Sequence, residues 1–488
     1  MKQSCQRFAS KPAFSNLGKT LTYGELYELS GAFAAYLQQH TDLQPGDRIA
    51  LQLPNLLQYP IAVFGAIRAG LIVVNTNPLY TAREMEHQFN DSGAKALVCL
   101  ANMAHLAEAV VPKTGVRHVI VTEVADMLPP LKRLLINSVI KYVKKMVPAY
   151  HLPKAVRFND VLSKGLGQPV QEANPASGDV AVLQYTGGTT GVAKGAMLTH
   201  RNLVANMLQC RALMGSELKE GCEIVITPLP LYHIYAFTFH CMAVMLLGNH
   251  NILISNPRDL PAMVKELSKW KFSAFVGLNT LFVSLCNNEA FRKLDFSALK
   301  VTLSGGMALQ LAASERWKAV TGCSICEGYG MTETSPVASV NPSQNIQQGT
   351  IGVPVPSTLC KVINDEGVEL PLGEVGELCI KGPQRDHPAG RLHADCRPQE
   401  GHDSGIGLQR LSERTGGRTG DVAGCAAMRG VGRTDQDFHR RQTGCDPDQG
   451  AGDGAHAGQC HGLQGASVRR VPRCAADHQR WQDPAKTA

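Results

Sequence analysis

The chain has 488 residues, of which 44% are hydrophobic and 18% charged, so it is long and apolar enough to bury a large core. This composition excludes a disordered chain, a small disulfide scaffold and a fibrous repeat. The net charge of +7, from 48 basic and 41 acidic residues, does not indicate a nucleic-acid partner. Fifteen cysteines in a chain without a visible signal peptide predict a reducing cytoplasm.

Apolar β-rich runs alternate with helical patterns along most of the chain, which predicts an α/β fold with parallel-rich sheets flanked by helices. In the first part, the predicted strands and helices are residues 48–54, 56–69, 71–75, 82–91 and Ala94–Leu100. After residue 177 the predicted strands, each followed by a helix-length segment, are Val180–Thr186, 223–228, 251–255, 272–277 and Val301–Ser304.

Three further segments depart from this alternation. The apolar run at 237–248 is too short to cross a bilayer, and we predict a buried helix. Short β runs around Asp365, Glu366 and Gly367 indicate a hairpin in a small β subdomain. Residues 130–148 form a basic amphipathic stretch, which is typical either of a peripheral membrane contact or of a solvated helix face. Its basic residues are Lys132, Arg133, Lys141, Lys144 and Lys145.

The composition changes abruptly after Gln384. Residues 385–488 contain 14 arginines but a single lysine, 17 glycines and one isoleucine. A segment of this composition cannot assemble an ordinary core, so we predict a disordered tail.

One glycine- and threonine-rich segment, YTGGTTGVAKG, begins at Tyr185 directly after a predicted strand. Glycines let the backbone approach a polyphosphate, while threonine hydroxyls, backbone N–H groups and the Lys194 ammonium bind phosphate oxygens. The segment is not a Walker loop, because Ala193 rather than glycine precedes Lys194. We predict a phosphate-binding loop that links the strand to a helix beginning near His200. Its candidate residues are Thr186, Gly187, Gly188, Thr189, Thr190, Gly191 and Lys194.

A second motif, GYGMTET, begins at Gly328. With the loop, it resembles the adenylate-forming, AMP-binding acyl-CoA synthetases, and among these the bacterial long-chain fatty acyl-CoA synthetases. The resemblance implies that Tyr329 lies near adenine, with Gly328 and Gly330 beside the nucleotide, and that Thr332 contacts the α-phosphate. It also implies that Glu333 holds Mg2+, a role that suits a carboxylate beside phosphate oxygens.

Two shorter segments resemble the acyl site of the same family. The segment PLPLYH ends at His233, which the resemblance places near the substrate carboxylate, although a histidine alone is more often structural. Gly305 and Gly306 resemble the loop that lines the adenine and acyl site, and a simple turn is the alternative. Residues 276–280 and the apolar helix after Tyr235 resemble the walls of a fatty-acyl tunnel, although core packing explains them equally well.

The pair Cys323 and Cys326 has the C-x-x-C spacing of metal and redox sites. A single pair without a second one is a weak signal, and the pair lies on a predicted buried strand. We therefore expect inert core thiols.

The resemblance implies a two-step reaction with ATP, Mg2+ and coenzyme A, in which a long-chain fatty acid becomes acyl-AMP and then acyl-CoA. Thr186, His233 and Glu333 are the candidate catalytic residues. It further implies an adenylation domain at 1–384, with the ATP and acyl site at 176–384 and the β subdomain at 349–382. We expect a cytoplasmic protein, and a homodimer and peripheral contact with the inner face of the membrane stay open.

Three elements of this family are not soundly present: a T-G-D aspartate, an R-K-K-D hinge and a lysine in a small C-terminal domain. The tail residues Asp421 and Lys486 lie in unrelated surroundings. Codons chosen for residues 398–405, 410–418 and 479–486 give RKKDMIL, VYPNELED and NVGKILRR when they are read one base later. We therefore infer a frameshift, with an accompanying deletion, that removes the small domain and leaves the aberrant tail.

Three functions follow from these observations. The first is a long-chain fatty acid–CoA ligase whose turnover is reduced by loss of the small domain. The second is a non-catalytic acyl- or nucleotide-binding pseudoenzyme, and the third is a ligase for another carboxylic acid, such as an aromatic one. Hydroxamate formation together with nucleotide titration separates the first two, and competition among carboxylic acids decides the third.

Overall fold

The computed structural model describes residues 1–186, 193–214, 217–371, 374 and 376–383. The predictions for residues 385–488 lie outside this described part. Its strands are β1 (Pro12–Asn16), β2 (Lys19–Thr22), β3 (Arg48–Gln52), β4 (Ile72–Asn75), β5 (Ala94–Leu100), β6 (His118–Thr122), β7 (Val156–Arg157), β8 (Val180–Thr186), β9 (Lys194–Thr199), β10 (Ile224–Thr227), β11 (His250–Leu253), β12 (Ala274–Gly277), β13 (Val301–Ser304), β14 (Ile325–Gly330), β15 (Val337–Val340), β16 (Val353–Pro354), β17 (Leu359–Ile363) and β18 (Glu377–Lys381).

Helices connect most of these strands. The α-helices are α1 (Lys2–Arg7), α2 (Tyr23–His40), α3 (Gln58–Arg68), α4 (Ala82–Ser92), α5 (Ala104–Val110), α6 (Pro130–Ser138), α7 (Phe158–Gly165), α8 (His200–Met214), α9 (Ile234–Ala236), α10 (Leu260–Leu267), α11 (Asn279–Asn287), α12 (Glu289–Arg292) and α13 (Leu311–Thr321). The π-helical segments are Val139–Val143 and Phe237–Val244, and the 3-10 turns are Ala101–Met103, Val111–Lys113 and Thr332–Thr334.

A seven-stranded sheet has the order β7-β6-β5-β3-β4-β8-β9, and all its pairings are parallel except that of β8 with β9. Alternate residues of its central strands enter two different cores. Ile49 and Leu51 pack with α2 and α3, whereas Ala50 packs with Met85 and Phe89 of α4. Both faces of the sheet are therefore covered, as expected for parallel strands.

A nine-stranded sheet has the order β16-β15-β14-β13-β12-β10-β11-β1-β2, with β10 to β14 parallel to one another. Here too the faces alternate. Val225 belongs to the core that it shares with the first sheet, whereas its neighbour Ile226 packs with Phe282 and Trp317 of α11 and α13. Strands β17 and β18 form a separate two-stranded sheet.

Local sequence signals fix the starts of two long helices. Thr22 accepts a hydrogen bond from the backbone N–H of Glu25, and the Glu25 carboxylate accepts one from the Thr22 N–H. Thr81 and Glu84 repeat this reciprocal arrangement at the start of α4. Such capping boxes satisfy two otherwise unpaired backbone N–H groups, so the helices begin where the sequence places a threonine three residues before a glutamate.

The predicted α/β fold is confirmed, while some local predictions need correction. Residues Lys194–Thr199 form a strand, so the phosphate-binding loop does not lead directly into a helix. The apolar run that begins at Phe237 is buried as predicted, but it is a π-helix rather than an ordinary helix. The hairpin predicted around Gly367 is present as a short antiparallel bridge between Ile363 and Glu369, and the strand before it, β17, also pairs along its length with β18. No helix in the described ranges combines the length and hydrophobicity needed to cross a membrane.

Candidate active site

The phosphate-binding loop joins two antiparallel strands, β8 and β9. Thr186, the last residue of β8, pairs with Lys194, the first residue of β9. The side chain of Lys194 is exposed, as a phosphate-binding cation requires. The other predicted loop residues, Gly187, Gly188, Thr189, Thr190 and Gly191, lie outside the described residues.

Helix α4 holds both ends of this loop. Before the loop, the Tyr185 hydroxyl donates a hydrogen bond to Oδ2 of Asp91. After it, the Nε2–H of His87 donates to the carbonyl oxygen of Ala193 at 3.0 Å. Burial and the Asp91 carboxylate raise the pKa of Tyr185, so the hydroxyl stays protonated as a donor. Sequence reasoning did not identify His87 or Asp91, although their i, i+4 spacing places both on one face of α4.

A glycine allows the two strands at the loop to approach each other. A Cβ atom at Gly195 would lie 2.9 Å from Cε2 of the Tyr185 ring. The ring therefore packs directly on the backbone of β9, and a larger side chain at Gly195 would displace the base of the loop.

A cavity of about 240 Å³ lies where β13 and β14 end, next to the segment that contains His233. Ligands of open α/β sheets bind outside the carboxyl ends of the strands, so this position is typical of an active site. Among its lining residues are the predicted site residues His233, Gly305, Gly306, Gly328, Tyr329, Gly330 and Thr332. The rest of the lining is mainly apolar and includes Cys210, Leu213, Phe239, Leu303, Pro336, Val337 and Val340.

His233 lies at the edge of this cavity, and its ring hydrogen-bonds to the backbone. Its Nδ1 accepts a hydrogen bond from the N–H of Tyr235 at 3.3 Å, which also starts α9. Desolvation by the surrounding protein lowers the pKa of His233 below its ordinary value. At neutral pH the ring is therefore uncharged and carries its proton on Nε2, where it is a hydrogen-bond donor.

A hydrogen-bonded chain links the loop strand to the His233 segment. The Tyr59 hydroxyl donates to Oδ1 of Asn75 at 2.8 Å, and Asn75 Nδ2 donates to Oε1 of Gln184 at 3.0 Å. Gln184 Nε2 then donates to the carbonyl of Tyr232 at 3.1 Å. Gln184 lies two residues before Thr186, so one buried side chain ties the end of β8 to the segment that contains His233.

Asn55 fixes the rest of the His233 segment. Its Nδ2 donates to the carbonyls of Thr227 and Leu229 at 3.0 and 2.9 Å, and its Oδ1 accepts from the N–H of Leu231 at 2.8 Å. A buried amide that makes three hydrogen bonds to the main chain holds that chain firmly. Sequence reasoning did not identify Asn55, because all three partners are more than 170 residues away.

Glu333 lies in the 3-10 turn Thr332–Thr334, which contacts β9, the strand that begins with Lys194. The Thr334 hydroxyl shapes the turn: it accepts from the N–H of Met331 at 2.9 Å and donates to the carbonyl of Pro336. Gly330 is required here, because an added Cβ would lie 1.9 Å from the Pro336 oxygen. The half-buried Glu333 lies in this turn beside Thr332, which lines the cavity, whereas Glu333, Thr186 and Lys194 are not among the lining residues.

The chemistry of Glu333 fits Mg2+. The described residues contain no group of three or more His, Cys, Asp or Glu side chains that could enclose a metal by themselves. Mg2+ bound with a nucleotide typically takes one or two protein carboxylates and completes its shell with phosphate oxygens and water. A single carboxylate in a turn that contacts β9 is compatible with that pattern.

Cys323 and Cys326 are both buried. Burial raises the pKa of each thiol, that of Cys326 to about 12. Reactive and metal-binding cysteines need an accessible thiolate, which burial disfavours at both positions, although Cys326 also lines the cavity.

Comparison with known proteins identifies the family of this chain. Residues 1–385 match the AMP-binding enzyme family. A long-chain-fatty-acid–CoA ligase of Escherichia coli O6:H1 is 53% identical over 384 residues, which is 78% of this chain and 68% of that protein. The Haemophilus influenzae ligase of the same name is 52% identical over 377 residues, covering 77% of this chain and 67% of its own length.

Two solved structures have the same fold as this chain. A long-chain-fatty-acid-CoA ligase from Archaeoglobus fulgidus superposes with a TM-score of 0.67 at 25% identity, covering 79% of this chain and 74% of that one. ATP-bound MatB from Rhodopseudomonas palustris has a TM-score of 0.63 at 24% identity and covers 77% of this chain and 68% of its own, a likeness in fold. The chain belongs to the AMP-binding enzyme family.

Proposed function

We propose that this protein is a long-chain fatty acid–CoA ligase. A fatty carboxylate attacks the α-phosphorus of ATP to give acyl-AMP and pyrophosphate, and the thiol of coenzyme A then displaces AMP to give acyl-CoA. The names and identities of the curated relatives support the reaction. The observation that carries it is that His233, Gly305 and Thr332 line one cavity and that Glu333 lies in the turn with Thr332.

Each polar residue has a role in this reaction. Lys194 and the loop bind the β- and γ-phosphates, and Thr186 and Thr332 donate hydrogen bonds on either side of the α-phosphate. Gly328, Tyr329 and Gly330 form the adenine side of the cavity. Most of the catalysis in such displacements comes from positioning and from neutralising charge.

Glu333 would hold Mg2+, which supplies positive charge to the phosphate oxygens. His233 donates its Nε2–H to a carboxylate oxygen of the fatty acid and orients the other oxygen toward phosphorus. A neutral donor suits this task, because an imidazolium would pair too strongly with the attacking carboxylate and weaken it as a nucleophile.

The acyl chain would occupy the apolar side of the cavity, against Leu213, Phe239 and Val340. The predicted tunnel wall at residues 276–280 is not part of this lining among the described residues. The space above Gly277 is filled by Phe282, whose ring would lie 2.8 Å from an added Cβ. Phe239, in the π-helix that follows Tyr235, does line the cavity.

We propose that the turnover of this chain is strongly reduced. The family match ends at residue 385, where the composition changes and the shifted reading of the family's hinge and lysine motifs begins. We infer that the family's small-domain lysine is lost with these motifs, so its charge does not assist adenylation. The same observation favours a second candidate, a pseudoenzyme that binds acyl chain and nucleotide without turnover.

Hydroxamate formation from palmitate, ATP and hydroxylamine, together with calorimetric titration of MgATP, tests these proposals. We expect MgATP binding with hydroxamate formation far below that of the Escherichia coli relative. Turnover equal to that relative contradicts the reduced activity. Binding with no turnover even at high enzyme concentration establishes the pseudoenzyme, and preference for benzoate over palmitate in competition contradicts the long-chain substrate.

The location and assembly of the protein complete the proposal. We propose a cytoplasmic enzyme that contacts the inner face of the membrane peripherally, where its fatty acid substrate partitions. We also propose a homodimer, which light scattering of the purified chain tests.

A further inference from the structure

Residues 130–150 expose their apolar side chains to solvent. They comprise α6, the π-helical segment Val139–Val143 and the following extended residues, and we call them the α6 surface. Leu131, Leu134 and Leu135 are 84%, 68% and 65% exposed. Their i, i+3, i+4 spacing places them on one helix face. The exposed apolar residues that continue the surface are Tyr142, Val143, Met146 and Tyr150.

The orientation of this surface is fixed by polar contacts on its inner side. Asn137 Nδ2 donates to Oε2 of Glu123 at 3.0 Å, and its Oδ1 accepts from the N–H of Ala125 at 3.0 Å. Farther along, Asn102 Nδ2 donates to the carbonyl of Met146 at 2.8 Å. A helix on a globular protein normally turns its apolar stripe to the core and its polar residues to water. Here an amide faces inward and the leucines face outward.

The charged side chains of the α6 surface are all basic. The surface contains five basic residues and no acidic one between residues 130 and 150. The basic residues are Lys132, Arg133, Lys141, Lys144 and Lys145. Exposed leucines interleaved with lysines suit the surface of an anionic membrane, where acyl chains lie beneath anionic headgroups. A protein partner would have to offer an apolar face and several carboxylates together.

We propose that the α6 surface docks on an anionic lipid bilayer, with Leu131, Leu134 and Leu135 inserted at the acyl boundary and the lysines paired with anionic headgroups. This deepens the peripheral membrane contact of the proposed function and rests on it. The bilayer is then both the docking partner and the reservoir from which a long-chain fatty acid reaches the cavity.

Vesicle flotation of the full chain tests the proposal without requiring turnover. Vesicles of phosphatidylcholine alone are compared with vesicles that also contain phosphatidylglycerol. One variant changes Leu131, Leu134 and Leu135 to glutamine, and a second changes Lys141, Lys144 and Lys145 to glutamine. Matched controls change three exposed apolar residues elsewhere, Leu79, Leu166 and Val368, or three exposed lysines elsewhere, Lys164, Lys265 and Lys318, to glutamine.

We expect the unmodified chain and both controls to float with the anionic vesicles, and less with phosphatidylcholine alone. Loss of three lysines near the surface should weaken partitioning onto anionic vesicles by on the order of a hundred-fold. The leucine variant should lose binding to a similar extent. Added salt should weaken the binding of the unmodified chain to anionic vesicles. Since all the substituted side chains are exposed, unchanged thermal unfolding should show that the variants fold.

Equal flotation of both variants and their controls overturns the proposal. So does a loss of dimer in the leucine variant with no change in flotation, which assigns the surface to a second copy of the chain. Flotation without ligase activity leaves the docking intact and rejects only the proposed reaction. Ligase activity without flotation supports the proposed reaction and overturns the docking.

Discussion

His87 on α4 donates from Nε2 to the carbonyl oxygen of Ala193 at 3.0 Å, one residue before the lysine of the phosphate-binding loop. One helical turn farther along, Asp91 accepts the hydrogen bond of Tyr185 at the other end of the loop. A helix that holds both ends of a loop limits the positions that the loop can take. We infer that α4 positions the loop that we propose to bind the polyphosphate.

Substituting His87 by alanine should weaken MgATP binding. The change removes one hydrogen bond at the base of the loop, so we expect a loss of about 1 kcal/mol, or roughly five-fold in Kd. Calorimetric titration of the full chain measures it. His151→Ala, at an exposed position away from the loop, is the control. Equal nucleotide affinity of the two variants would show that α4 does not position the loop.

Replacing Gln184 by leucine should affect both stability and the acyl site. The substitution leaves the Asn75 amide and the Tyr232 carbonyl without their buried partner, which costs about 1–3 kcal/mol of unfolding free energy. It also frees the segment that holds His233, so the affinity for palmitate should fall. Urea denaturation and palmitate titration measure the two effects, with the exposed Gln168→Leu as control. Unchanged palmitate affinity would rule out the link between the two sides of the site.

These contacts mark the limit of what the sequence can predict here. Strands such as Ala94–Leu100 and Val180–Thr186 follow from local hydrophobic pattern, and their bounds agree with the structure. The partners of Gln184 and His87, in contrast, lie 48 and 106 residues away from them. No periodicity or spacing encodes such contacts, because they arise only when segments that are distant in the chain pack together.

The misassigned strand β9 has a different cause. Lys194–Thr199 contains glycine, alanine and lysine, which are uncommon in strands, and lacks a run of β-branched residues. Its conformation is set by pairing with β8, where Gly195 fits against Tyr185. Tertiary pairing thus overrides local propensity at the place where the loop ends.

Gly330→Ala should displace the turn that carries Glu333. The added methyl group would overlap the Pro336 carbonyl oxygen, and relief of such a clash by backbone movement costs about 1–3 kcal/mol. We expect lower thermal stability and weaker Mg2+-dependent nucleotide binding. Gly115→Ala is a matched control, because its Cβ would meet only the Ala94 oxygen at 3.7 Å. Normal MgATP binding by Gly330→Ala would contradict the role assigned to the turn.

Buried His240 should make the protein sensitive to acid. Burial lowers the pKa of His240 from 6.5 to about 3, so the folded protein keeps the ring neutral while the unfolded chain binds a proton below pH 6.5. Its contribution to stability is therefore full above pH 6.5 and falls by roughly 1.4 kcal/mol per pH unit as the pH drops toward about 3.

Urea denaturation at neutral pH and at about pH 5 measures this effect. In His240→Gln the decrease in unfolding free energy should be smaller by roughly 1.4 kcal/mol per pH unit than in the unmodified chain. His151→Gln, at an exposed site, should keep the original decrease. If the unfolding free energy of His240→Gln falls with pH as steeply as that of the unmodified chain, the protonation of His240 is not coupled to unfolding.

The central claim is that Lys194 and Glu333 lie on two sides of one Mg2+-dependent nucleotide site. Calorimetric titration of ATP into the full chain, with Mg2+ and with a chelator, tests it most directly when repeated with Lys194→Ala and Glu333→Gln. The account predicts binding with Mg2+, a large loss for both variants, and little dependence on Mg2+ in Glu333→Gln. A folded protein that binds no ATP, or a Glu333→Gln variant with full Mg2+-dependent affinity, contradicts it.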